Sequence, residues 1–176
     1  LVIGTLIGLS VYVNFYLMTV FALSWGTSQL GYTREQFLFI QLFGVLFFAA
    51  TIPWSAILAE RGRRPMLMWV NVATFAFGLV FAPLFHAGTI GATLTMVAGL
   101  ALVGMAYGPL GTVLAELFPT AVRYTGSSLT FNLAGIFGAS LAPYVATWLA
   151  ENYGLQYVGY YLSGSAGLTL IGLMFS

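Results

Sequence analysis

The side chains able to do ionic chemistry are few and clustered. The only bases apart from one histidine are Arg34, Arg61, Arg63, Arg64 and Arg123; the only acids are Glu35, Glu60, Glu116 and Glu151. Two short segments, AERGRRP (Ala59–Pro65) and ELFPTAVRYTG (Glu116–Gly126), hold most of them. Carboxylate–guanidinium pairs are directional and can be bidentate. Glu60, Glu116, Arg63, Arg64 and Arg123 can therefore tie one chain segment to another and release it, or the arginines can simply set orientation and touch lipid phosphates. A second group is neutral and lies inside long apolar runs: Tyr12, Asn14, Tyr16, Tyr107 and Asn132, with Gln41 a weaker member. Phenols and amides recognise a partner by hydrogen bonds without carrying charge. His86 is the single histidine; it sits at a turn and reads as an ordinary interface residue.

These groups exclude several chemistries. No His-Glu-x-x-His metalloprotease pattern is present. The nearest match to an intramembrane serine nucleophile, Gly164-Ser165-Ala166-Gly167, follows His86, whereas that chemistry places serine first. Without cysteine, disulfides and thiolate metal sites are excluded. The sequence thus predicts neither an enzyme nor a metal or organic cofactor. A net charge of +1 with no basic surface gives nucleic acid nothing to bind.

The elements that must carry these residues follow from composition. Hydrophobic residues make up 60% of the chain and charged ones 5%, with a mean hydropathy of +0.97. Soluble domains carry about 25% charged residues, so the solvent of this chain is lipid. Six stretches reach the roughly 20 residues a helix needs to cross a bilayer: Leu1–Trp25, Gln36–Leu58, Met66–Phe85, Ile90–Ala115, Ser127–Ala150 and Leu155–Phe175. Helix is expected because a spanning segment must satisfy its own backbone. The runs are too long and uniform for barrel strands. The second and fourth connectors hold Arg61, Arg63, Arg64 and Arg123, while the others hold only Arg34. Arginine-rich short loops stay in the cytoplasm, which predicts that both charged connectors and both chain ends are cytoplasmic. The chain begins and ends in apolar stretches and reads as a piece of a longer protein.

The pattern of the two connectors is more specific than a turn requires. Glu116-Leu-Phe118-Pro119-Thr120-x-x-Arg123-x-x-Gly126 resembles the turn between helices ten and eleven of the major facilitator superfamily. Glu60-Arg-Gly62-Arg63-Arg64-Pro65 resembles that superfamily's basic turn between helices eight and nine, with Glu60 for the usual Asp and one residue fewer before Gly62. Two spans separate the turns here, as that numbering requires. The resemblance covers the whole chain and implies an all-α membrane protein. Residues 1–176 would be the C-terminal six-helix bundle, helices seven to twelve of a twelve-helix transporter, in two three-helix inverted repeats. The text from Gly104 to Gly154 is most similar to the metabolite:proton symporter branch. The resemblance implies a bacterial inner-membrane, multi-pass carrier of a small metabolite (an organic acid or a zwitterionic osmolyte), working by alternating access. Its partners would be the lipid bilayer and the missing N-terminal half, and its coupling ion a proton. The charged turns would form a cytoplasmic gate. No span here has a mid-membrane carboxylate, so the proton carrier is expected in the other half. The alternative is a stand-alone six-helix channel or a dimerising half-size carrier, for which Gly4-Thr-Leu-Ile-Gly8 offers a helix-packing motif.

Helical periodicity divides the neutral group. At 100° per residue, Tyr12, Tyr16 and Thr19 share one face of the first span, and Ser10 and Asn14 lie nearly opposite. The tyrosines are favoured for substrate contact; Asn14 binds either a ligand or a neighbouring helix. Gly104, Tyr107 and Gly111 share a face beside Gly108-Pro109, for packing or for bending. Ser128, Asn132, Gly135, Ala139 and Pro143 form a small, polar stripe in which Asn132 needs a partner, substrate or helix.

Overall fold

In lipid, the helix is the one open-ended element that pairs every backbone group within its own segment. The computed structural model describes residues 1–176 and contains six helices of membrane-crossing length and no strand. They are α1 (Val2–Ser28), α2 (Arg34–Arg61), α3 (Arg63–Phe85), α4 (Gly88–Glu116), α5 (Thr120–Asn152) and α6 (Leu155–Phe175). Most run past the apolar stretches read from the sequence, because helices stop at capping signals rather than at the first polar residue. Thr33 and Gln36 form a reciprocal capping box that starts α2 at Arg34. Pro65 lies in the first turn of α3, where its missing N–H would have had no helical partner. Gly62, at φ 150°, turns α2 into α3 with no other connecting residue. Pro119 keeps α4 from continuing into α5.

The contacts repeat themselves. α2 packs chiefly on α4, and α5 chiefly on α1; α3 packs on α6; α1–α6 and α3–α4 are matched contacts. Exchanging the first three helices for the last three reproduces the main pattern, and α1 and α4 run in opposite directions. This is the contact pattern of two inverted three-helix repeats. α2 and α5 are the least buried spans, 22% and 28% of their apolar windows. α1 touches α2, α4, α5 and α6, and its counterpart α4 touches α1, α2, α3 and α5, so these two spans stand at the centre.

Small residues let the helices meet. A methyl on Gly108 would collide with the Ser55 hydroxyl and lie 3.1 Å from the Ile52 carbonyl oxygen; one on Gly104 would collide with Thr51. Gly104 and Gly108 therefore face α2, whereas Gly111 faces open space. The single face expected for Gly104 and Gly111 is thus divided between packing and the open side. Buried polar groups link the spans. The Ser10 hydroxyl donates to Asn71 Oδ1 at 2.6 Å, and the Thr169 hydroxyl donates to the Leu6 carbonyl at 2.7 Å. Ser163 donates to the Phe75 carbonyl at 2.7 Å. Such bonds hold helices together where lipid supplies no hydrophobic drive between them.

Two spans contain a widened, π-helical turn: Leu17–Phe21 in α1 and Ile136–Ser140 in α5. Such turns carry one extra residue and occur disproportionately at functional sites.

Candidate functional site

A groove runs along the open side of α1. One cavity of about 390 Å³ is lined by Tyr12, Tyr16 and Phe15 of α1, Phe48 and Ile52 of α2, and Tyr107 of α4. A second, of about 330 Å³, is lined by Tyr12 and Tyr16 again, with Phe131, Asn132, Gly135, Ala139 and Ser140 of α5. The shared tyrosines make the two cavities neighbours along one surface. The 490 Å³ cavity between α3 and α4 is lined by hydrophobic side chains alone, and the 460 Å³ cavity between α1, α5 and α6 offers only Thr5 and Tyr161 among apolar walls.

Depth follows from helix geometry. Counting ~1.5 Å per residue from the end that carries Arg63 and Glu116, Tyr12 lies about 15 Å in, and Tyr107 and Asn132 about 14 Å in. Half of a roughly 30 Å hydrocarbon core is the same depth. Three helices of different connectivity thus bring neutral hydrogen-bonding groups to one level at mid-membrane.

Local structure explains each placement. Gly138 allows α5 to lie against α1, because a methyl there would collide with the Tyr12 Cβ and sit 3.2 Å from the Val13 nitrogen. Tyr12 is thereby held between α5 and the groove. Tyr107 is half-exposed and tilts against Phe48, ring centroids 6.4 Å apart. Asn132 is exposed and spends one amide donor on the Ser128 carbonyl at 2.8 Å. Its Oδ1 and second N–H are left for another partner. Groups of this kind, phenols beside one amide among aromatic walls, can hold a compact polar or zwitterionic solute by hydrogen bonds and by contact of a cationic group with ring faces.

Of the neutral residues singled out from the sequence, Tyr12, Tyr16, Tyr107 and Asn132 come together. Asn14 does not. It is 1% exposed, points away from the groove, and donates from Nδ2 to the Gly99 carbonyl of α4 at 3.1 Å. The reason is rotation: Asn14 is two residues from Tyr12, about 200° around the helix. Of its two readings, the neighbouring helix is the one realised, which corrects its place in the candidate ligand set. Gln41 is likewise engaged with α1 backbone. No pattern in the sequence marks Ser140, Phe131, Phe48 or Ile52, which also line the groove. Ser140 lies eight residues after Asn132, about 80° off its face in a regular helix. The extra residue of the Ile136–Ser140 turn makes that spacing behave as seven, which restores the face. A π turn carries no clear sequence mark.

The five candidate gate residues lie at one end, away from Arg34, Glu35 and Glu151. Arg63 Nη1 meets Glu116 Oε1 at 2.7 Å, joining the start of α3 to the end of α4. The ion pair is about half-exposed on both sides. Arg123 instead turns back on its own connector, Nε donating to the Phe118 carbonyl at 3.3 Å. Glu60 and Arg64 are exposed and make no ion pair. Of the five residues expected at a gate, the structure brings two together.

A family profile described as Sugar (and other) transporter matches residues 5–176. The chain is similar to the inner membrane metabolite transport protein YhjE of Escherichia coli, 43% identical over 98% of this chain and 41% of that protein. A putative metabolite transport protein of Haemophilus influenzae is 38% identical over 98% of this chain and 42% of its own length. The proline/betaine transporter of E. coli is 28% identical over 95% of this chain and 34% of its own length. The chain thus spans about two fifths of the length of these two metabolite transport proteins. No solved structure matches it.

Proposed function

Because the chain belongs to the sugar (and other) transporter family of the major facilitator superfamily, we propose that it is the C-terminal six-helix half of a bacterial inner-membrane carrier for a small solute. The N-terminal half would cover the open side of α1, and solute would bind between the halves. The observation that carries this reading is the mid-membrane groove, where Tyr12, Tyr16, Tyr107 and Asn132 of three helices meet. A polar stripe at that depth is unfavourable against lipid and fits a water-filled or protein-covered face.

The solute is a small zwitterionic osmolyte or an organic acid. Neutral phenols and an amide suit the zwitterion, and the similarity to a proline/betaine transporter points the same way. With no arginine in this half's groove, a carboxylate would need its counter-charge from the other half. Uptake would be driven by proton symport, with the proton carrier in the other half, because no span here has a carboxylate at its middle. Access would alternate by rocking of one half against the other, with the charged connectors cytoplasmic.

The Arg63–Glu116 pair would be part of the gate on that side. Glu116→Gln is expected to lower thermal stability by no more than about 1 kcal/mol, since exposed pairs contribute little. The same change should alter the uptake rate several-fold, and the charge swap Arg63→Glu with Glu116→Arg should restore it. An unchanged rate in Glu116→Gln would remove the pair from the gate.

The direct test is uptake by the full-length protein in proteoliposomes. The panel is labelled proline, glycine betaine, and aromatic and dicarboxylic acids, with and without an inward proton gradient. Accumulation above equilibrium only with the gradient is the expected result. Gradient-independent equilibration would indicate a facilitator. No uptake of any panel member would overturn the solute class.

A further inference from the structure

Gln41 is buried, 8% exposed, on the face of α2 that meets α1. Its amide nitrogen donates to two successive carbonyls of α1, Met18 at 2.8 Å and Thr19 at 2.9 Å. Both lie inside the widened turn Leu17–Phe21. In that turn the backbone pairing shifts by one residue, and the Ala22 N–H reaches the Leu17 carbonyl, five residues back. Such a shift disturbs the regular ladder, and in lipid a freed carbonyl needs a donor from a neighbouring helix. Gln41 supplies two N–H groups at that spot. Tyr16 is the residue immediately before the turn, and Tyr12 is one helical turn earlier.

We infer that Gln41 is a positioning residue: its amide pins the widened turn of α1 in place and so fixes which way Tyr16 faces the groove. A widened turn can migrate along a helix, and each residue it passes rotates by about 100°. If the turn moves one step toward the N-terminus, Tyr16 is the first side chain to swing out of line. The widened turn of α5, Ile136–Ser140, has no side-chain donor from another helix, so the brace is particular to α1. The role in transport rests on the groove being the solute site; the brace itself does not.

The test uses the full-length protein with native cysteines replaced. Gln41→Met keeps side-chain length and removes both donors. Gln36→Met, on the same helix and engaged only with Thr33, is the control. In the Gln41 variant, amide exchange in the peptide from Met18 to Ser24 should speed up roughly tenfold, with α6 unchanged. In a Tyr16→Cys background, Gln41→Met should change the rate of labelling by a polar thiol reagent at least about threefold, and Gln36→Met should leave both readouts alone. Unchanged labelling would overturn the inference, as would faster exchange spread over all six helices. Proline and glycine betaine uptake separates it from the functional reading. If the parent protein carries neither solute while labelling still shifts, the solute assignment fails and the brace stands.

Discussion

Gly159→Val is expected to abolish the folded protein. α3 and α6 cross at Gly78 and Gly159, where each backbone occupies the space a side chain would need on the other. A methyl on Gly159 would collide with the Gly78 carbonyl oxygen; one on Gly78 would lie 2.6 Å from the Gly159 carbonyl oxygen and collide with the Ser163 hydroxyl. The two carbonyl oxygens are backbone and have no rotamer into which to retreat, so the helices themselves must separate. Separation also breaks the bond from Ser163 to the Phe75 carbonyl. Overpacking typically costs about 1–3 kcal/mol and occasionally more; a clash with backbone on both helices puts this site at the upper end, a large share of a typical domain's stability. Gly164→Val on the same helix is the control, because a side chain there meets nothing within 4 Å. Thermal unfolding and size-exclusion profiles in detergent should show aggregation for the first variant and a near-normal monodisperse peak for the second. Equal behaviour of the two would show that the α3–α6 crossing can open at little cost.

Asn132→Leu should leave the fold intact and remove most transport. The residue is exposed, and its one internal bond, to the Ser128 carbonyl of its own helix, is expendable to the helix. It is the only amide lining the groove. A site built to hydrogen-bond a solute loses discrimination when a partner is removed, about 1–3 kcal/mol for a buried polar group left unpaired. Transport efficiency for the accepted solute should therefore fall roughly 10- to 100-fold. The loss should fall chiefly on the half-saturation concentration. A matching loss of thermal stability would instead assign Asn132 to packing.

How much of this was legible in the sequence varies by level. Six spans and the two charged connectors follow from length, hydropathy and arginine placement, because a bilayer permits few backbone solutions. Tyr12 and Tyr16 were placed on one face by their spacing of four, and the regular helix between them keeps that spacing true. The sequence leaves Asn14 two alternatives, and periodicity puts it on the face opposite the tyrosines. Its partner, the Gly99 carbonyl, is a backbone atom 85 residues away that no side-chain pattern marks. The charged cluster was legible as a group but not as pairs. Only the close approach of the start of α3 to the end of α4 selects Glu116 for Arg63 and leaves Glu60 without a partner.

By itself, the sequence determined that this chain lives in lipid, how many times it can cross, and which residues at mid-depth can hydrogen-bond without charge. Those properties are local: each depends on a window of one helix and on the solvent around it. Only the tertiary structure decided that Tyr107 and Asn132 join the α1 tyrosines, that Ser140 is turned onto their face, and that Gln41 holds α1 rather than lining the groove. Those properties depend on which helix packs on which and on where a single extra residue is absorbed in a turn. Both are set by contacts between glycine-lined surfaces far apart in the chain.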